Sequence, residues 1–252
     1  MCLLALLKKL DTTREIGINM EKRMLHEMVY YYEDAIENFE EVMKTIAELT
    51  EINNSENGEL WGKWTASDDK DFIYGETQTF DLNQINQMAE PYRSKMEYVY
   101  INIMKALYDV CKDYAKSVGD TDEPRLFPVF NIKKYNTGAS MGAHYDQLDG
   151  DKTLRYSLVM YLNDVPEGGE ISFKLSEYED HNQVVSPDFD YSVAVANNQI
   201  DFGVKPSAGS VIIFPSSAPY YHIAHTVKSG VKYMIPSHWI HNDMDLKKGC
   251  SV

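Results

Sequence analysis

The sequence is poor in cysteine. Its three cysteines, Cys2, Cys111 and Cys250, are far apart and odd in number. That excludes a disulfide framework and a CxxC metal site, and a reducing compartment, the cytoplasm, is expected. Long apolar runs are also missing, so no membrane span is expected. Leu3 to Leu7 is apolar, but the charges follow it and no cleavage-site pattern comes next, so it does not read as a signal peptide. Basic residues are outnumbered, 24 against 39 acidic, for a formal net charge of -15. Such a surface repels nucleic-acid backbones and anionic membranes and disfavours a polyanionic substrate. A neutral or basic peptide, or a small molecule in a local pocket, stays compatible. What is present is ordinary for a folded protein: 252 residues, 44% hydrophobic and 25% charged. That length buries a core without staples, and the composition excludes disorder across the whole chain.

The two halves differ in texture. Up to about Gly119 the apolar spacing is helical. Met28, Tyr31, Ala35, Phe39, Val42, Ile46 and Leu49 form one stripe. A polar loop is read over 53–75. A second helix is read from Pro91, with Met96, Val99, Ile103, Leu107, Val110 and Tyr114 as its stripe and Gly119 as its stop. After Pro124 short β-like runs take over, near 126–134, 143–147, 154–162, 170–174, 200–204, 210–214, 221–227 and 231–235. Turn signals such as Asn136-Thr137-Gly138, Glu167-Gly168-Gly169 and Lys228-Ser229-Gly230 separate several of them. The acidic stretch 176–198 reads as an insertion between strands. About eight short strands in one block predict a sandwich or jelly roll. The expected organisation is a helical region, 1–120, packing on a β core, 121–252.

Of seven histidines, His144 is the informative one, in His144-Tyr145-Asp146. On a strand, residues two apart project from one face, so an imidazole and a carboxylate are presented together. With a distant second histidine they make a 2-His-1-carboxylate set, which leaves open positions on Fe(II). His222 and His225 are the candidates for the second histidine. If 221–233 is a hairpin with the three-residue turn Lys228-Ser229-Gly230, His222, Thr226 and Lys232 share a face; a two-residue turn favours His225. Spacing alone leaves both open. His238 and His241, near Trp239, read as surface or packing residues.

Several ordered motifs resemble one family, the Fe(II)/2-oxoglutarate-dependent dioxygenases, in the prolyl 4-hydroxylase-like branch. They are Tyr135-Asn136-Thr137-Gly138 followed by His144-Tyr145-Asp146, the run 154–164, Glu167-Gly168-Gly169-Glu170 with Phe173, and Lys205-Pro206 with Ala208-Gly209 and Ile213-Phe214. His222, Val227, Gly230 and Lys232 then match the family's spacing after its distal histidine, which His225 fits worse. The resemblance covers about 127–239.

The resemblance implies an α+β protein: a double-stranded β-helix (jelly roll) core with N-terminal flanking helices. It implies that His144, Asp146 and His222 hold iron, and that Lys232 pairs with the distal carboxylate of 2-oxoglutarate. Tyr135 and Ser157 match positions of helping donors. Tyr145 matches a position that touches substrate. The implied cosubstrates are 2-oxoglutarate and O2, with ascorbate also compatible. The implied reaction is hydroxylation of an unactivated C–H bond, of a prolyl residue in a peptide or protein. Related folds act on other residues and on free metabolites. A non-catalytic jelly-roll binding module has no need of His144, Asp146, His222 and Lys232 together, and a nucleic-acid demethylase does not suit the charge.

Overall fold

The structure, a computed structural model, describes residues 20–50, 61–64, 73–82, 89–127, 131–147, 153–175 and 191–241. Cys2, Cys250 and residues 176–190 of the expected insertion lie outside them. Fifteen strands and three helices follow one another among the described residues. They are β1 (Glu21–His26), β2 (Val29–Glu33), α1 (Phe39–Thr50), β3 (Trp61–Lys63), β4 (Ile73–Tyr74), β5 (Thr77–Asp81), α2 (Tyr92–Val118), β6 (Asn131–Tyr135) and β7 (Ser140–His144). Then come β8 (Leu154–Tyr161), β9 (Glu167–Gly168), β10 (Ile171–Lys174), α3 (Tyr191–Ala196), β11 (Phe202–Val204), β12 (Val211–Pro215), β13 (Tyr221–Ala224), β14 (Val227–Ser229) and β15 (Lys232–Ile240).

The strands build an α+β protein around two antiparallel sheets. The major sheet runs β1-β2-β12-β8-β15-β6-β5-β3 and the minor one β11-β10-β13-β7-β4, with β14 and β9 as a separate pair. The central strands β8 and β12 of the major sheet are buried on both faces, so they are apolar at most positions. The period of two decides where each side chain goes. In β8, Leu158 and Met160 face the helices, while Val159 and Tyr161 face the interior between the sheets. In β12, Val211 and Ile213 take the helix side and Ile212 and Phe214 the interior. In β15, Ile235 and Trp239 take the helix side and Met234 the interior. The interior contains both an apolar cluster and the polar site described below.

Helix α2 is 27 residues long and buries the stripe read from the sequence, Met96, Val99, Ile103, Leu107, Val110 and Tyr114. It ends at Gly119, left-handed at φ 71°, where the Asp120 amide closes onto the Ala115 carbonyl at 2.8 Å. Helix α1 contributes Val42, Ile46 and Leu49 to the same layer.

The expectation that the first helical stripe starts at Met28 is corrected. Met28 to Ala35 is not helix: β1 and β2 form a hairpin whose turn carries Met28 at φ 63°. The β2 strand pairs with β12 and joins the major sheet. The β-branched and aromatic run Val29-Tyr30-Tyr31-Tyr32 suits a strand. Val29 and Tyr31 enter the interior, while Tyr30 and Tyr32 meet the helices. That alternation outweighs the accidental three-and-four spacing of Met28, Tyr31 and Ala35. The stretch read as loop holds β3 and β4, and β5 follows; β5 pairs with β6, and β4 with β7. Within the stretch read as an insertion, the described part holds the short helix α3. Among the described residues no helix is long and apolar enough to cross a membrane.

The hairpin expected over 221–233 is also corrected. The β13 strand pairs with β10 and β7 in the minor sheet, and β15 pairs with β6 and β8 in the major one. The segment between them crosses from one sheet to the other, pairing Val227 with Gly168 on the way. Gly230 is left-handed, φ 83°, as the turn reading required.

Candidate active site

The site is assembled from both sheets. His222 and His144 are paired residues on neighbouring strands of the minor sheet, which brings their rings to 4.2 Å between centroids. Strand β7 stops at His144, so Asp146 sits in the bend beyond it and not on a regular strand as expected. That bend is tied to the major sheet where the Gln147 amide donates to the Ser216 carbonyl at 2.9 Å. The carboxylate still meets the imidazoles: Oδ1 lies 3.6 Å from His144 Nε2 and 3.9 Å from His222 Nε2. One ligand atom from each of His144, Asp146 and His222 falls within 4.8 Å of the others, a set that can hold a metal ion.

The backbone orients the imidazoles. His144 Nδ1 lies 2.7 Å from the Gly142 carbonyl and His222 Nδ1 3.4 Å from the Tyr220 carbonyl. Nδ1–H donating to a carbonyl leaves each Nε2 as a lone pair, aimed at the shared centre. Burial pushes His222 down to about 3, and the neighbouring His144 adds to that. Its ring is therefore the neutral, ligating form. For Asp146, burial favours the protonated acid, but any positive charge on His222, and an N–H from His238, draw the carboxyl well below the usual range. Two imidazoles and one carboxylate suit Fe(II) with positions left open.

These three residues line a cavity of about 210 Å³ together with Lys232, Tyr135, Tyr161, Trp64, His238 and apolar side chains including Met141 and Met234. The volume is below the roughly 300–1,000 Å³ of pockets for drug-sized ligands, so it suits a small molecule. Lys232 is 1% exposed, and its Nζ lies over the Tyr135 ring, 4.5 Å from the centroid. Among the described residues no carboxylate forms an ion pair with it. Burial lowers Lys232 to about 8, with Glu170 pulling weakly the other way. The contrast is Lys133, buried and lowered to about 8 as well, whose Nζ is tethered to Thr79 Oγ1 at 3.2 Å. The backbone around Lys232 is pinned. Asn163 Nδ2 donates to the Val231 carbonyl and its Oδ1 accepts from the Tyr233 amide, both at 2.7 Å. Thr137, of the Tyr135-Asn136-Thr137-Gly138 motif, donates to the Gly230 carbonyl at 2.8 Å. A buried ammonium lacking a counter-ion is costly, and an anionic ligand would relieve it.

Other residues singled out in the sequence fall elsewhere. Ser157 does not line the cavity; its Oγ shares a hydrogen bond with Ser216 Oγ at 2.8 Å. Register explains this: Ser157 stands beside His238, whereas Tyr161 stands beside Met234, two residues from Lys232. Tyr161 was legible in the parity of its strand, since 157, 159 and 161 share a face. Tyr145 does not line the cavity either, and packs edge-on against Tyr221 with centroids 5.0 Å apart. His225 is buried away from the site, with Nε2 2.6 Å from Ser172 Oγ. His238, read as a surface or packing residue, lines the cavity instead, with Nε2 3.5 Å from Asp146 Oδ2. Its signal was also parity, six residues after Lys232 on one strand.

Residues 130–241 match the sequence model of the 2OG-Fe(II) oxygenase superfamily. The match is to that stretch, a little under half of the chain, and members of this superfamily use Fe(II), 2-oxoglutarate and O2. Among solved structures the chain is similar to a prolyl hydroxylase from Trichoplax adhaerens, in complex with a hypoxia inducible factor oxygen degradation domain peptide fragment. The identity is 12%, over 84% of this chain and 83% of that one, with a TM-score of 0.54. A 2OG-Fe(II) oxygenase family oxidoreductase from Burkholderia pseudomallei is 13% identical over 96% of this chain and 94% of that one, with a TM-score of 0.50. These likenesses are of fold, the jelly-roll core that the two facing sheets form here. No curated protein matches the chain.

Proposed function

We propose that this protein is an Fe(II)- and 2-oxoglutarate-dependent dioxygenase that hydroxylates a prolyl residue in a peptide or protein. The observation that carries the oxygenase reading is one small cavity holding both the converging His144, Asp146 and His222 and the buried ammonium of Lys232, which has no ion-pair partner among the described residues. In this reading His144, Asp146 and His222 hold iron, and Lys232 receives the distal carboxylate of 2-oxoglutarate. When bound, the metal and cosubstrate together supply the oxidant, with decarboxylation to succinate and carbon dioxide coupled to hydroxylation of the substrate.

The chain's own residues do the rest. Lys232 binds as a point charge, and its small ammonium has no two-pronged fork, so shape must help fix the ligand. Tyr135 and Tyr161, both on cavity walls, supply that shape and two phenol groups. Burial of both tyrosines keeps their hydroxyls protonated, as donors. Met141, Met234 and Ile171 exclude water from the space between the lysine and the imidazoles. The peptide is assigned by three supports: the order of the motifs, the lysine at the cosubstrate position, and a fold shared with a prolyl hydroxylase. A net charge of -15 favours a neutral or basic peptide.

The test is succinate formation by the full chain with Fe(II), 2-oxoglutarate and air, against a panel of proline-containing peptides and free amino acids. Peptide-stimulated succinate, with a proline gaining the mass of one oxygen atom, is the expected result. Stimulation by another residue type or by a free metabolite would keep the oxygenase and overturn the prolyl assignment.

A further inference from the structure

The two oxygens of Asp146 have different neighbours. Oδ1 faces the Nε2 atoms of His144 and His222, at 3.6 and 3.9 Å. Oδ2 faces His238 Nε2, at 3.5 Å. His144, Asp146 and His222 come from the minor sheet and the bend that follows it, whereas His238 comes from β15 of the major sheet. His238 is not in the set whose ligand atoms converge within 4.8 Å, so it is not placed as a fourth ligand. Asp146 lies outside any strand ladder. His238 is itself held: it pairs with Ser157, and its carbonyl accepts from the Phe127 amide at 2.8 Å.

We infer that His238 is a positioning residue, whose Nε2–H holds Oδ2 of Asp146 so that Oδ1 alone is turned to the metal position. The inference rests on the reading of His144, Asp146 and His222 as the iron site. It assigns His238 the tautomer opposite to that of the two ligating histidines: here the ε nitrogen carries the proton and donates. A carboxylate with both oxygens free can chelate a metal through the pair and fill a position that 2-oxoglutarate or oxygen needs. With Oδ2 engaged, Asp146 stays a one-oxygen ligand and the open face is kept. The brace spans the two sheets, so it also fixes the distance between the face carrying the imidazoles and the face carrying Lys232.

The test is metal binding by the full chain, with His238→Ala and His238→Gln beside the unaltered protein. Anaerobic Fe(II) titration at saturating 2-oxoglutarate reads affinity from the charge-transfer absorbance. Co(II) loaded alone reads coordination from its visible spectrum. Loss of an outer hydrogen-bond partner to a metal ligand weakens metal binding by about 10–100-fold. That loss is expected for His238→Ala, together with a changed Co(II) spectrum. His238→Gln places a donor N–H at similar reach and should recover most of the affinity. His238 is 25% exposed at its side chain, so neither change empties the core. Wild-type affinity and spectrum in His238→Ala would overturn the inference alone. Equal weakness of the two variants would also overturn it, because the donated hydrogen bond would then not be the cause. Failure of the unaltered protein to bind Fe(II) would overturn the iron-site reading beneath it.

Discussion

Replacing Lys232 by methionine should move stability and cosubstrate binding in opposite directions. The ammonium is buried, with no ion-pair partner among the described residues, and burial lowers it to about 8 from an ordinary value of about 10.4. That gap is worth about 3 kcal/mol against the charged folded form at neutral pH. The Tyr135 ring beneath Nζ returns about 0.5–2 kcal/mol. Lys232→Met, similar in length and apolar, should therefore stabilise the ligand-free protein by about 1–3 kcal/mol. For a chain of this size that is a rise of roughly 2–4 °C in Tm per kcal/mol. The same change removes the charged partner of the 2-oxoglutarate carboxylate. A hydrogen bond to a charged group contributes about 1.5–3 kcal/mol, so Kd should rise by about 10–150-fold. The sign with pH follows. Below about 8 both folded and unfolded lysine are protonated and the penalty is complete. Between about 8 and about 10.4 the unfolded chain holds the extra proton, so ligand-free stability of the wild type rises with pH. Over the same window 2-oxoglutarate binding weakens, because the free site loses its charge. Lys232→Met should show neither slope at that position. Thermal unfolding of the ligand-free protein and anaerobic calorimetry with 2-oxoglutarate check both halves. A destabilised Lys232→Met that binds 2-oxoglutarate as tightly as wild type would refute the reasoning.

Four further outcomes are expected. Gly168→Ala should cost more than about 2 kcal/mol in urea unfolding: φ is +77°, and the added Cβ would stand 2.1 Å from the Thr226 carbonyl oxygen. Gly169→Ala should cost less, since its closest approach is 3.2 Å to the Val165 side chain. His225→Ala should lose about 1–3 kcal/mol by taking away the partner of the buried Ser172 hydroxyl, while iron binding is retained. Cys111, fully buried and with its thiol pushed up by burial, should stay unmodified in mapped alkylation of the native protein and react once it is unfolded.

The β core and the cluster of candidate site residues were legible because chemistry and order both constrain them. His144, Asp146, His222 and Lys232 sit at spacings that few other sequences share, and the structure brings all four to one cavity. His222, and not His225, converges with His144 and Asp146, although the hairpin from which its face was read does not form. The period of two holds along β13 whichever strand pairs with it, but sequence spacing does not say which sheet a strand enters. The N-terminal strands were missed for the opposite reason. Val29 to Glu33 is five residues with both faces buried, so it shows no polar alternation, and its aromatics also fit a helical stripe. Ser157 was placed by motif position, while register puts Tyr161 nearer the lysine end. His238 was passed over because a histidine beside Trp239 looks like packing, and its partner Asp146 is 92 residues away in sequence.

The most direct test of the central claim is the anaerobic absorbance of the full chain with Fe(II) and 2-oxoglutarate. Wild type and His225→Ala should both show a metal-to-ligand band, and His144→Ala, Asp146→Ala and His222→Ala should each lose it. A folded, iron-replete wild type without the band, or a band that survives loss of His222, would contradict the site proposed here.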